Sequence, residues 1–160
     1  MAPSMCLKLL LAKIWKWISM RSGQPIIGRP AWYDRNPISK VYYYAAENSP
    51  HSITERISYT CPSNKKAIVE LMSCRVERRT AATTPLGAMA VFKFTPSGGA
   101  GYYILRAIIY TNNVGDKEHQ SIGTSLVLCP GDTVAGLTTD LSTGGTCEEL
   151  LTLKITEFDA

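Results

Sequence analysis

Two histidines, His51 and His119, are the only side chains in this 160-residue chain whose ordinary pKa suits general-base work near neutrality. Both stand beside turn residues, in expected loops, and neither has a companion ligand at metal-binding spacing. The five cysteines, Cys6, Cys61, Cys74, Cys129 and Cys147, are odd in number and widely spaced, with no C-x-x-C. Neither a zinc site nor a disulfide framework is indicated. Buried free thiols are the expectation. A single Cys61–Cys129 bridge is the alternative, because each cysteine precedes a proline at an expected strand end. Serines are plentiful, but no Gly-x-Ser-x-Gly elbow occurs. Glu148 and Glu149 are adjacent in an expected strand, so they point to opposite faces and cannot share a proton. Asp116-Lys117-Glu118 reads as a solvated loop tip. Gly98-Gly99-Ala100-Gly101 lacks the lysine and the helix of a phosphate loop. The expectation is therefore no catalytic residue, no metal, no cofactor and no small-molecule substrate.

The elements that would carry these residues are strands. From about Ile38 the hydrophobic period is two, as in Ala88-Ala90-Phe92-Phe94, Tyr103-Leu105-Ala107-Ile109 and Leu151-Leu153-Ile155. Strands are predicted at 40–45, 53–60, 67–78, 88–95, 102–110, 120–128, 133–138 and 147–158. Turn residues separate them: Pro62-Ser63-Asn64, Pro96-Ser97-Gly98-Gly99, Asn112-Asn113, Pro130-Gly131-Asp132 and Gly144-Gly145. Eight short strands with no helical stretch between them predict an all-β antiparallel sandwich over 38–160. A jelly roll is the favoured topology and an immunoglobulin-like sandwich the alternative.

Residues 1–37 differ in character. Residues 1–40 carry seven basic side chains against Asp34 alone, a net of +6, while 41–160 carry ten basic and twelve acidic, a net of −2. On a helical wheel Leu7, Leu10, Leu11, Ile14, Trp17 and Ile18 share one face, largely opposite Lys8, Lys13 and Lys16. That pattern predicts an amphipathic helix roughly 21 Å long, too short to span a membrane and without a signal-peptide cleavage site. A partner protein is the expected host for its apolar face. A membrane surface is one alternative, and a natural start at Met20 is another. Pro25, Pro30 and Pro37 then predict an extended arm, in which 21–37 reaches up to about 56 Å. Trp32, Tyr33 and Arg35 are its candidate contacts with a neighbouring subunit or capsid surface, with Trp32 folded back into its own core as the alternative. The modest charge argues against direct nucleic-acid binding.

Several segments carry a resemblance: Tyr59-Thr60-Cys61-Pro62-Ser63 with Lys65–Glu70, Arg78–Thr83, Ser125–Val134 with its Pro130-Gly131-Asp132 turn, and Ser142-Thr143-Gly144-Gly145-Thr146. Over about 100 residues, from Ile53 to Phe158, this run resembles the small jelly-roll structural proteins of tailed bacteriophages. Those proteins sit on the capsid as cement (decoration) proteins or on the tail as fibre and tip domains. The chain departs from that pattern with Cys61 in place of valine and Asn64 in place of glycine. The resemblance implies a non-enzymatic virion structural protein, a cement that stabilises the head by bridging capsomers.

The implied partners are the major capsid protein and the chain itself, as a symmetric trimer. Its place would be the virion surface, after assembly in the host cytoplasm. Low charge density points the same way, since oligomerisation would bury apolar surface, with 102–110 and 150–158 as the expected walls. Two other roles are open. One is a tip domain binding a receptor or glycan, with Tyr102 and Tyr103 as a loop platform beside Gly98–Gly101. The other is a membrane-associated or cell-surface module using residues 5–20.

Overall fold

The computed structural model describes residues 36–48, 52–84, 86–110 and 112–160. The predicted helix and arm contacts (Leu7, Leu11, Ile14, Trp17, Ile18, Trp32, Tyr33 and Arg35) and His51 lie outside the described residues.

Eight strands form in chain order: β1 (Ile38–Asn48), β2 (Thr54–Thr60), β3 (Lys65–Thr80), β4 (Ala88–Thr95), β5 (Tyr102–Ile109), β6 (Lys117–Leu128), β7 (Thr133–Asp140) and β8 (Thr146–Asp159). They make two four-stranded antiparallel sheets, in the orders β1-β8-β3-β6 and β2-β7-β4-β5. Alternate strands of the chain cross between the sheets so that β1 meets β8, β2 meets β7 and β3 meets β6. That nesting is the jelly roll, and it rules out the immunoglobulin-like order.

Alternating side chains of both sheets close the core. Val69, Met72, Cys74 and Val76 of β3 and Leu151, Leu153 and Ile155 of β8 meet Ile57 and Tyr59 of β2, Phe92 and Phe94 of β4 and Val134 of β7. Phe92, Leu151, Leu153 and Ile155 have no exposed surface, and cutting one of these aliphatics back to alanine costs about 2–5 kcal/mol.

The inward phase of β3 changes partway along. Ala67 and Val69 face the core, then Met72, Cys74 and Val76 do. The switch falls where the registers with β8 and β6 both slip between Val69 and Leu71. A bulge at this point inverts every side chain beyond it.

Three expectations change. His119 is not in a loop: it lies within β6 opposite Arg75. Lys117 and Glu118 open the same strand rather than capping a solvated loop, and Glu118 Oε2 accepts from Ile108 N at 3.1 Å. Of the two expected oligomer walls, β8 runs between β1 and β3, so both its backbone edges are already paired and only its outward side-chain row reaches the surface.

Candidate functional site

The loops β1–β2, β3–β4, β5–β6 and β7–β8 gather at one end of the sandwich, because antiparallel register brings the end of β3 against the start of β8 and the start of β4 against the end of β7. The end is organised by Arg78 of β3. Its guanidinium reaches Asp140 of β7 at 2.8 Å and Ser142 Oγ at 2.9 Å, and all three side chains are fully buried. Ser142 Oγ also accepts from Leu86 N at 3.2 Å, and Ser142 N donates to Asp140 at 2.9 Å.

The loops are then laced by their backbones. Thr83 N bonds Thr143 O at 2.8 Å, Thr143 N bonds Thr84 O at 3.0 Å, and Gly115 N bonds Arg78 O at 2.7 Å. Asn112 Nδ2 donates to Ala82 O at 2.7 Å. Gly145 has a φ of 76°, and a Cβ there would stand 2.7 Å from Thr80 O, so only glycine fits without a shift. The segments Arg78–Thr83 and Ser142–Thr146 thus meet in space.

On this scaffold every loop presents a large exposed apolar side chain: Ile53, Leu86, Tyr110 with Val114, and Leu141. Tyr110 is 72% exposed. A rim of this kind, in which the buried Ser142 hydroxyl ties the loops of Leu86 and Leu141 together, is suited to contact with another macromolecule.

The interior beside it is polar as well. Arg56 donates through Nε to Thr138 Oγ1 at 3.0 Å, lies 4.0 Å from the buried Glu149 carboxylate, and sits 5.1 Å above the Tyr44 ring. As expected, Glu148 points the other way. On the outer face it joins Arg75, Glu77 and Arg79, with Arg79 2.8 Å from Glu77 and Arg75 3.4 Å from Glu148. The Arg75 hydrogen bond holds the Glu77 carboxyl below the usual range.

Next to this cluster Ser73, Arg75, Lys117, His119, Leu150 and Thr152 line an open depression of about 480 Å³. Ser73 Oγ and His119 Nε2 are 2.8 Å apart, a serine–histidine pair that sequence spacing does not reveal, because the two residues meet only through β3–β6 register. The depression's lining includes no carboxylate placed to orient the imidazole as the third member of a triad does.

At the opposite end Cys61 and Cys129 come together through the turn that follows each. Cys61 N bonds Asp132 O at 2.9 Å, and Asp132 Oδ2 accepts from Cys129 N at 2.8 Å. They do not form the alternative bridge: Cys61, Cys74, Cys129 and Cys147 are all free. Burial pushes the Cys74 and Cys147 thiols up to about 12, which makes them inert.

Tyr102 and Tyr103 are 53% and 54% exposed. They open β5 rather than forming a loop, and Tyr102 is braced edge-on against Phe94 at 5.4 Å. Among the described residues no group of three metal-ligating side chains is brought together.

No protein-family model and no curated protein matches this sequence. Among solved structures, the chain is similar to the infectious bursal disease virus VP2 subviral particle, with a TM-score of 0.40 and 8% identity over 84% of this chain. It is similar to T=1 particles derived from infectious bursal virus, at 0.38 and 14% over 84%. The chain spans 38% and 36% of those two longer chains. Eiger TNF from S. frugiperda also matches, at 0.34 and 12%, over 74% of this chain and 92% of its own. All three TM-scores lie below one half, so the likeness assigns no role.

Proposed function

We propose that this chain is a non-enzymatic structural protein of a virion, a cement or decoration protein that stabilises a phage head by bridging capsomers. The observation that supports this best is the apolar rim of the four-loop end. Each of its loops carries one or more large exposed apolar side chains, whereas the polar clusters elsewhere are ion-paired or open to solvent. Contact with a protein shell uses such a surface; turnover of a small molecule does not. In this reading the partners are the major capsid protein and further copies, grouped as a trimer at the virion surface. The basic arm, with Leu7, Leu11, Ile14, Trp17, Ile18, Trp32, Tyr33 and Arg35, makes the longer-range attachment.

A second reading, a tail or fibre tip that binds a receptor or glycan, is favoured by the exposed Tyr102–Tyr103 pair, in which Tyr102 is braced against Phe94. Quantifying the protein on purified particles separates the two. A cement is present in many copies and a tip in few. Absence from particles overturns both.

A further inference from the structure

The jelly roll has four edge strands, β1 and β6 in one sheet and β2 and β5 in the other. Three of them are interrupted. The β2 register slips between Glu55 and Ile57, the β4–β5 register slips at Phe92–Lys93, and the β3–β6 register slips between Val69 and Leu71. Such bulges twist an edge out of line and block the addition of another strand. On β5 the Glu118 carboxylate also occupies the Ile108 amide at 3.1 Å.

Among the described residues, edge strand β1 has none of this. It pairs β8 without a slip over eleven residues, from Ile38↔Glu157 to Asn48↔Cys147. Its outward row of Val41, Tyr43 and Ala45 is apolar, with Val41 and Tyr43 each 63% exposed. A long, regular, apolar edge is a template for strand pairing.

We propose that β1 docks against the β1 of a second copy, antiparallel about a twofold axis, and so joins two four-stranded sheets into one continuous sheet. An antiparallel edge is its own complement, as an isologous interface requires. Directly opposed residues share a face, so an outward residue must meet an outward one. Full overlap of the eleven residues then sets the register. Tyr43 lies on the axis opposite its own mate, Val41 faces Ala45, and Ile38 faces Asn48.

Charge permits that register. Lys40, bonded to Glu157 at 2.6 Å, meets Ala46. Glu47, bonded to Thr146 Oγ1, meets Ser39. No like charges oppose each other. The pairing uses the β1 edge and not the apolar rim residues Leu86, Tyr110, Val114 and Leu141. It does not depend on the virion reading, because the edge pairs wherever the protein is found.

Thiol crosslinking tests both contact and register. In a background carrying Cys6→Ser and Cys129→Ser, Tyr43→Cys should form a covalent dimer on mild oxidation or with a short bis-maleimide, since opposed Cα atoms lie about 4.5–5.5 Å apart. Ala45→Cys should link at least tenfold more slowly, its mate being displaced along the strand by about 13 Å. Mixing Val41→Cys with Ala45→Cys protein should restore fast linking. The Val41→Lys, Tyr43→Lys double variant changes only exposed positions; once circular dichroism has verified its fold, it should lose the contact in sedimentation. Equal or absent linking at Tyr43 and Ala45, or unchanged association of the lysine variant, overturns the proposal. Particle composition has no bearing on either outcome.

Discussion

Arg78 and Asp140 form an ion pair 2.8 Å long between two side chains with no solvent exposure, 62 residues apart in sequence and on different sheets. The pair ties the end of β3 to the end of β7 and, through Ser142, fixes the loop that carries Leu141. Its energetic character follows from burial: two desolvated charges are tolerated together, and neither is tolerated alone.

Asp140→Ala should therefore destabilise the sandwich by about 3–5 kcal/mol, because it leaves the Arg78 charge buried without a counter-ion. The paired replacement Arg78→Met with Asp140→Leu should recover most of that loss. Denaturant melts of the two variants check this, and a single variant no less stable than the double would count against it.

Ser73 and His119 should prove to be a surface hydrogen bond. Ser73→Ala and His119→Ala should each change stability by no more than about 0.5 kcal/mol, as surface sites do. A fluorophosphonate probe for activated serines should leave Ser73 unmodified, and labelling that disappears in His119→Ala would show an active pair.

Acid stability should depend on Glu77. The Arg75 hydrogen bond lowers its folded pKa below the ordinary value of about 4.5. The stabilisation is thus present above that value and lost as the pH falls through the lower, folded pKa. Glu77→Gln should lie below the parent in melting temperature at neutral pH and converge with it under acid. A constant gap across pH 7 to 2 would contradict the linkage.

Removal of residues 1–35 should leave a folded sandwich that no longer attaches to particles. In the full chain Trp32→Ala should weaken attachment by about 2 kcal/mol or more if the ring is an interface anchor. Any one lysine change in the arm should cost under about 1 kcal/mol. Full occupancy by the truncated chain, measured on particles, would disprove the arm's role.

The period-two pattern and the turn residues determined the strands by themselves. Both signals are local: pleating alternates neighbours, and glycine or proline sets a turn within four residues. Predicted strands at 88–95, 133–138 and 147–158 match β4, β7 and β8 to within two residues. The nested strand order followed as the favoured topology for eight such strands.

What the tertiary structure decided is which side chains face which partner. Extending the Ala67, Val69 phase along β3 would turn Arg78 outward. The bulge between Val69 and Leu71 turns it inward, and the apolar pairs Ile68-Val69 and Leu71-Met72 on either side of Glu70 fit either phase. His119 met Ser73, Arg78 met Asp140, and four apolar loop tips came to one end through pairings tens of residues apart in the chain. Those contacts depend on register and on the packing of two sheets, which residue types along the chain do not specify.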